Sequence, residues 1–170
     1  MLWRQALIIG TLILAAVIVE LTLLARLGLP GATPDLVVVT IVAIALAMGP
    51  TQGAAAGFTA GVLIDLAPPA DTLLGVNALV YIAIGFVAGV AIDPRDRTVP
   101  IMIGVVGLAA AAAAVGTAAL DTMLGSDRVV WGDMPGIILT TALYAIIMAP
   151  LVILGVAWLV RRATPEVLVV

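Results

Sequence analysis

The chain has 170 residues, of which 64% are hydrophobic and 10% charged. Soluble domains run about 45–50% apolar and about 25% charged, so a water-soluble fold is excluded and the sequence reads as an integral membrane protein. Six spans of about 20 residues use about 120 positions. That leaves about 50 for loops and tails, too few for a separate catalytic or binding domain, and the whole of 1–170 is expected to be one transmembrane domain.

Cysteine, histidine and lysine are absent, and serine and asparagine occur once each, as Ser126 and Asn77. The usual ligands of zinc, haem and iron–sulfur sites are therefore missing. So are Cys/His and Ser/His nucleophile pairs, the Schiff-base lysine and the phosphate-loop lysine. No cofactor is expected, and the only site chemistry left open is that of Asp, Glu, Arg, Thr and Tyr. Ten acidic and seven basic residues leave a net charge of −3, and in a chain this apolar their placement says more than their sum.

In chain order, the first apolar run covers 6–25 and is interrupted by Glu20. Arg4 precedes it as in a signal peptide, but no small-x-small cleavage site follows, so it is expected to remain as the first span. Segments 35–48 and 51–66 follow, joined by Gly49-Pro50, where the chain must break. As helices they measure about 21–24 Å, against a bilayer core about 30 Å thick. They are either short spans shielded by neighbours or a re-entrant hairpin. Pro34-Asp35 opens the second segment, with Asp35 expected to cap its backbone N–H groups. Three full-length spans are expected at 73–92, 101–120 and 137–160, the last kinked at Pro150.

Short cytoplasmic loops retain arginine. With both termini inside, Arg4, Arg95, Arg97, Arg161 and Arg162 lie inside and Arg26 and Arg128 outside, and this five-to-two bias sets the expected orientation. The outer side then collects Asp35, Asp65, Asp71, Asp127 and Asp133. Trp3, Trp131 and Trp158 fall at the expected interfaces, as belt residues should. The run Asp93-Pro94-Arg95-Asp96-Arg97 is a charged inner turn, read as an anchor or a cytoplasmic docking point.

Gly53, Gly57 and Gly61 form a row at spacing four on the third segment, continued by Asp65, and Gly85 and Gly89 repeat the spacing on the fourth. Such rows let backbones approach closely, either inside the bundle or against a partner helix. Asp65 lies in the last turn of its helix, where the dipole already disfavours a carboxylate. A pairing with Arg26 or Arg128 is expected, the alternative being a solvated carboxylate at the membrane surface. Glu20 and Asn77 fall in the outer half with Asp65, and the three are expected to line an outward-facing polar crevice, since ionisable groups in membranes usually face the bundle interior.

The ordered set Pro34-Asp35-Leu36, Gly49-Pro50, Gly53, Gly57-Phe58, Gly61 to Asp65-Leu66, Leu74-Gly75-Val76-Asn77 and Gly85 to Gly89 resembles the rod shape-determining protein MreD family, over about a third of the chain. The resemblance implies a non-enzymatic inner-membrane component of the lateral cell-wall elongation machinery. Its partners would be a bitopic MreC-like protein and the complex of a peptidoglycan glycosyltransferase with a penicillin-binding transpeptidase. It also implies an all-α six-helix bundle similar to the substrate-binding subunits of energy-coupling-factor vitamin transporters. Asp35, Gly57, Gly61, Asp65 and Asn77 are the positions that match the recurrent pattern.

Three readings follow. The first is a membrane scaffold that binds a partner's transmembrane segment through small-residue rows. The second is a transporter substrate-binding subunit with a pocket near Glu20, Asp65 and Asn77; against it, outer aromatic and polar groups are few. In addition, Ala16 is followed at spacing four by Glu20 rather than by the alanine typical of that subunit class. The third, a carboxylate enzyme or proton pathway, needs paired acids deep in the bilayer, whereas the acids here sit near the rims.

Overall fold

A computed structural model describes residues 2–28, 31, 33–67, 74–93, 96–125 and 130–163. Asp71, Arg95, Asp127 and Arg128, used above in assigning sides, fall outside the described residues. Among those described, the chain forms six α-helices and no strand: α1 (Leu2–Thr22), α2 (Leu36–Met48), α3 (Pro50–Leu66), α4 (Val76–Ala91), α5 (Val99–Met123) and α6 (Met134–Ala163). A 3-10 turn, Leu24–Arg26, follows α1. The stretches centred on α1, α5 and α6 are long and apolar enough to cross a membrane, whereas α2 and α4 are apolar but shorter.

The helix ends follow local chemistry. Gly49 at φ +102 separates α2 from α3, and Pro50 takes the first helical position of α3, where its missing N–H costs nothing. Gly75 at φ +100 is left-handed and starts α4 at Val76, three residues later than the hydrophobic pattern places it. Pro100 does the same work in the first turn of α5 as Pro50 in α3. Helix α6 continues through Pro150 and ends on Arg161 and Arg162, whose charges suit a helix C-terminus. Arg162 also stacks on Trp158, 4.5 Å from the ring centroid.

Helix α2 forms the axis of the bundle. Its sequence, LVVVTIVAIALAM, is rich in β-branched residues with modest helix propensity. In an apolar surrounding, however, the backbone must satisfy its own hydrogen bonds, and a helix does so within one segment. Eleven of its 13 residues are buried. It packs against α1, α3, α4, α5 and α6, which surround it in the ring order α1, α3, α4, α5, α6. At about 20 Å, α2 is short, and its neighbours shield it on every side.

The closest pair is α3 with α4. Gly53 lies against the Gly85 carbonyl, Gly57 against the Tyr81 carbonyl, Gly61 against Asn77 and Ala78, and Gly89 against Pro50. These pairs run in opposite directions along the two helices, which are therefore antiparallel. A methyl group at Gly53, Gly57, Gly61, Gly85 or Gly89 would overlap backbone atoms of the facing helix. Between the two roles open to such rows, these glycines serve packing inside the bundle.

Candidate functional site

The first turn of α2 is enclosed by its neighbours, and its orphan N–H groups need partners inside the bundle. Asp35 is the N-cap, and its side chain accepts from the Val38 amide at 2.8 Å. Glu20, near the end of α1, accepts from the Val37 amide at 2.8 Å. Two carboxylates thus face the positive end of one helix dipole. At the other end of α2, Arg97 donates from a guanidinium nitrogen to the Leu46 carbonyl. Opposite charges at its two ends match the dipole of this enclosed helix.

Asp65 has a parallel role at the start of α4. It is 2% exposed. One oxygen accepts from the Gly75 amide at 2.8 Å, and the other from Asn77 Nδ2 at 2.8 Å. The Asn77 and Ala78 amides approach the same carboxylate at 3.4 Å. The expected pairing of Asp65 with Arg26 is not formed: Arg26 is exposed in the 3-10 turn and makes no ion pair among the described residues. Arg128 lies outside the described residues. Among the described residues, compensation at the C-terminal end of α3 comes from the N-terminus of α4, whose N–H groups face the carboxylate. Nor is Asp65 a solvated surface carboxylate.

A cavity of about 200 Å³ opens beside the N-terminus of α2. Seven of its nine lining residues carry polar side chains, which sets it apart from the apolar remainder of the bundle. Glu20, Asp35 and Asn77 line it together, and Asp65 stands outside the lining with Asn77 between. Gly57 and Gly61 are not part of the lining. Their close contact with α4 fixes how near Tyr81 and Asn77 come to the axis helix.

Sequence reading missed Tyr81 and Thr141, both 5% exposed and both lining this cavity. The Tyr81 hydroxyl is directed at Asp35. The available signal was a polar residue in a mainly apolar helix, a signal that Tyr81 shares with Asn77 in α4 and Thr141 with Thr140 and Tyr144 in α6; sequence does not say that α4 and α6 bring these residues to the same place. Among the described residues, no three of His, Cys, Asp and Glu converge as metal ligands would.

A second concavity, of about 660 Å³, runs between α4 and α5. Its 14 lining residues include no polar or charged side chain, and seven of them are alanine or glycine, so it is a smooth apolar groove. Leu79, Val87 and Leu108 border it with more than half their surface exposed. No family model, no curated protein and no solved structure matches the chain.

Proposed function

We propose that this protein is a non-enzymatic component of the bacterial cell-wall elongation machinery in the cytoplasmic membrane. In this reading it holds the transmembrane helix of an MreC-like bitopic protein and, through it, the peptidoglycan glycosyltransferase and penicillin-binding transpeptidase. The observation that carries the reading is the α4–α5 groove, apolar throughout its lining and rich in small side chains. In lipid, helix association depends on close packing rather than on a hydrophobic drive, and a groove of alanine and glycine offers that contact. The resemblance of the ordered motifs to the MreD family supports the choice of partner. Both termini are cytoplasmic in this reading, following the five-to-two arginine bias.

Co-purification with an MreC-like protein tests the proposal. Ala112→Trp fills the groove, and the expected result is loss of the partner with the melting temperature of the isolated protein unchanged. A photocrosslinker at Ala83 should link to the partner's transmembrane helix. Full retention of the partner by the tryptophan variant, without crosslinking from Ala83, overturns the assignment.

The polar cavity favours a second reading, a substrate-binding subunit of an energy-coupling-factor type transporter. A vitamin auxotrophy on depletion, in place of cell rounding, would select it.

A further inference from the structure

Two carboxylates, Glu20 and Asp35, line the cavity beside α2, and among the described residues no cationic side chain does. Glu20 accepts from the Val37 and Leu36 amides and Asp35 from the Val38 amide and the Tyr81 hydroxyl, and since a carboxylate offers about four acceptor positions, each group retains capacity for a further donor. Another polar group of the lining, Thr141, is an independent observation. Thr11, Thr22, Thr40, Thr59, Thr117, Thr122 and Thr140 each donate a hydroxyl hydrogen bond to the carbonyl four residues earlier. That is the usual resort of a helical threonine in an apolar surrounding. Thr141 is 5% exposed, lines the cavity and makes no such bond, so its hydroxyl has no partner among the described residues. A hydroxyl that faces the cavity without a partner among the described residues is open to a ligand, and two neighbouring carboxylates without a cationic side chain are costly. A ligand carrying one positive charge and several donors answers both.

We propose that this cavity is a binding site for a primary ammonium group, with Glu20, Asp35 and Thr141 as its acceptors. An ammonium has three donors and a compact charge, matching three acceptors around a space of about 200 Å³. Two sources present this chemistry, a free small amine and the headgroup of an ethanolamine phospholipid. The site is independent of the α4–α5 groove and of the partner assigned to it.

The test is thermal unfolding of the detergent-purified full chain with ethanolamine, with its neutral isostere ethylene glycol, and with sodium chloride. Parallel samples in nanodiscs compare phosphatidylethanolamine with phosphatidylcholine. Stabilisation by ethanolamine but not by ethylene glycol or sodium is expected if the ligand is a free amine. Stabilisation by the ethanolamine phospholipid alone assigns the same chemistry to a headgroup. Thr141→Val, which keeps side-chain shape, and Glu20→Gln, which keeps an acceptor for the Val37 amide, should each weaken the response about tenfold in half-saturating concentration. Equal stabilisation by ethylene glycol, the same effect from sodium alone, responses undiminished in both variants, or no response to either amine source would each overturn the proposal.

Discussion

Asn77 donates from its side-chain nitrogen to Asp65 at 2.8 Å, joining the last turn of α3 to the first turn of α4. The Gly75 amide meets the other oxygen of the same carboxylate at 2.8 Å. One side chain therefore closes the connection between the two most closely packed helices. Asp65→Ala leaves these donors unpaired in a buried setting, and the expected loss is about 1.5–3 kcal/mol of stability. Asp65→Asn, which retains one acceptor oxygen, should lose less. Denaturant titration in a fixed detergent measures both.

Arg26 provides a charge test of the same site. It is exposed and unpaired among the described residues, so Arg26→Ala should shift stability by less than about 0.5 kcal/mol. Arg26→Asp should not repair Asp65→Arg. Recovery of assembly or stability in that double variant would show that the two side chains meet.

Two helical glycines, Gly57 in α3 and Gly104 in α5, should respond to alanine in opposite senses. At Gly57 a methyl overlaps the Tyr81 carbonyl, and Gly57→Ala should destabilise by about 1–3 kcal/mol, the cost of overpacking. At Gly104 a methyl meets nothing within 4 Å. Gly104→Ala should therefore stabilise, by up to about 1 kcal/mol, through reduced backbone freedom. Melting temperatures of the two variants, taken side by side, decide the point.

Asp35 and the glycine row were legible from sequence because each obeys a local rule: an acid before a hydrophobic run caps a helix, and glycine at spacing four packs a backbone. The number and order of the helices followed from hydrophobicity, but their lengths did not: α4 is 16 residues rather than a full-length span, while α5 and α6 run to 25 and 30. The donors that α4 offers Asp65 were not legible, because counting arginines finds only side-chain charge. The Gly75, Asn77 and Ala78 amides that face this carboxylate are a property of backbone geometry. Tyr81 and Thr141 escaped for a different reason. They are about 60 residues apart in the chain, and only the wrapping of α4 and α6 around α2 brings both to Asp35 and Glu20.

Arg97 was read as part of a charged turn, and its contact with α2 gives it a definite task. Its guanidinium donates to the Leu46 carbonyl, so Arg97→Leu should release the last turn of α2. A lost bond of about 1 kcal/mol corresponds to roughly fivefold faster local opening. Hydrogen exchange at Met48 and Gly49 is the measurement. Unchanged protection there would show that the contact does not hold the helix end.

The absence of cysteine makes orientation directly measurable, since an introduced thiol is the only label in the chain. Thr98 and Val130 flank α5 on its two sides in sequence, and the 25-residue helix is about 37 Å long. With cytoplasmic termini, Val130→Cys should react with an impermeant maleimide in intact cells, and Thr98→Cys only after permeabilisation. The reverse order would invert the assigned orientation.

The enclosure of α2 bears on how the protein is made. A segment of 13 residues falls short of the about 20 that let a helix settle in a bilayer by itself. Its N-terminal amides are satisfied by a carboxylate from α1 and its C-terminal carbonyl by Arg97, which follows α4. Insertion first and assembly afterwards is open to α1, α5 and α6, but not to α2. The expected consequence is that the translocation machinery, or a chaperone within the membrane, retains the first half of the chain until α5 and α6 have been synthesised. A nascent chain arrested after α4 should therefore remain bound to that machinery, while one extended through α6 is released.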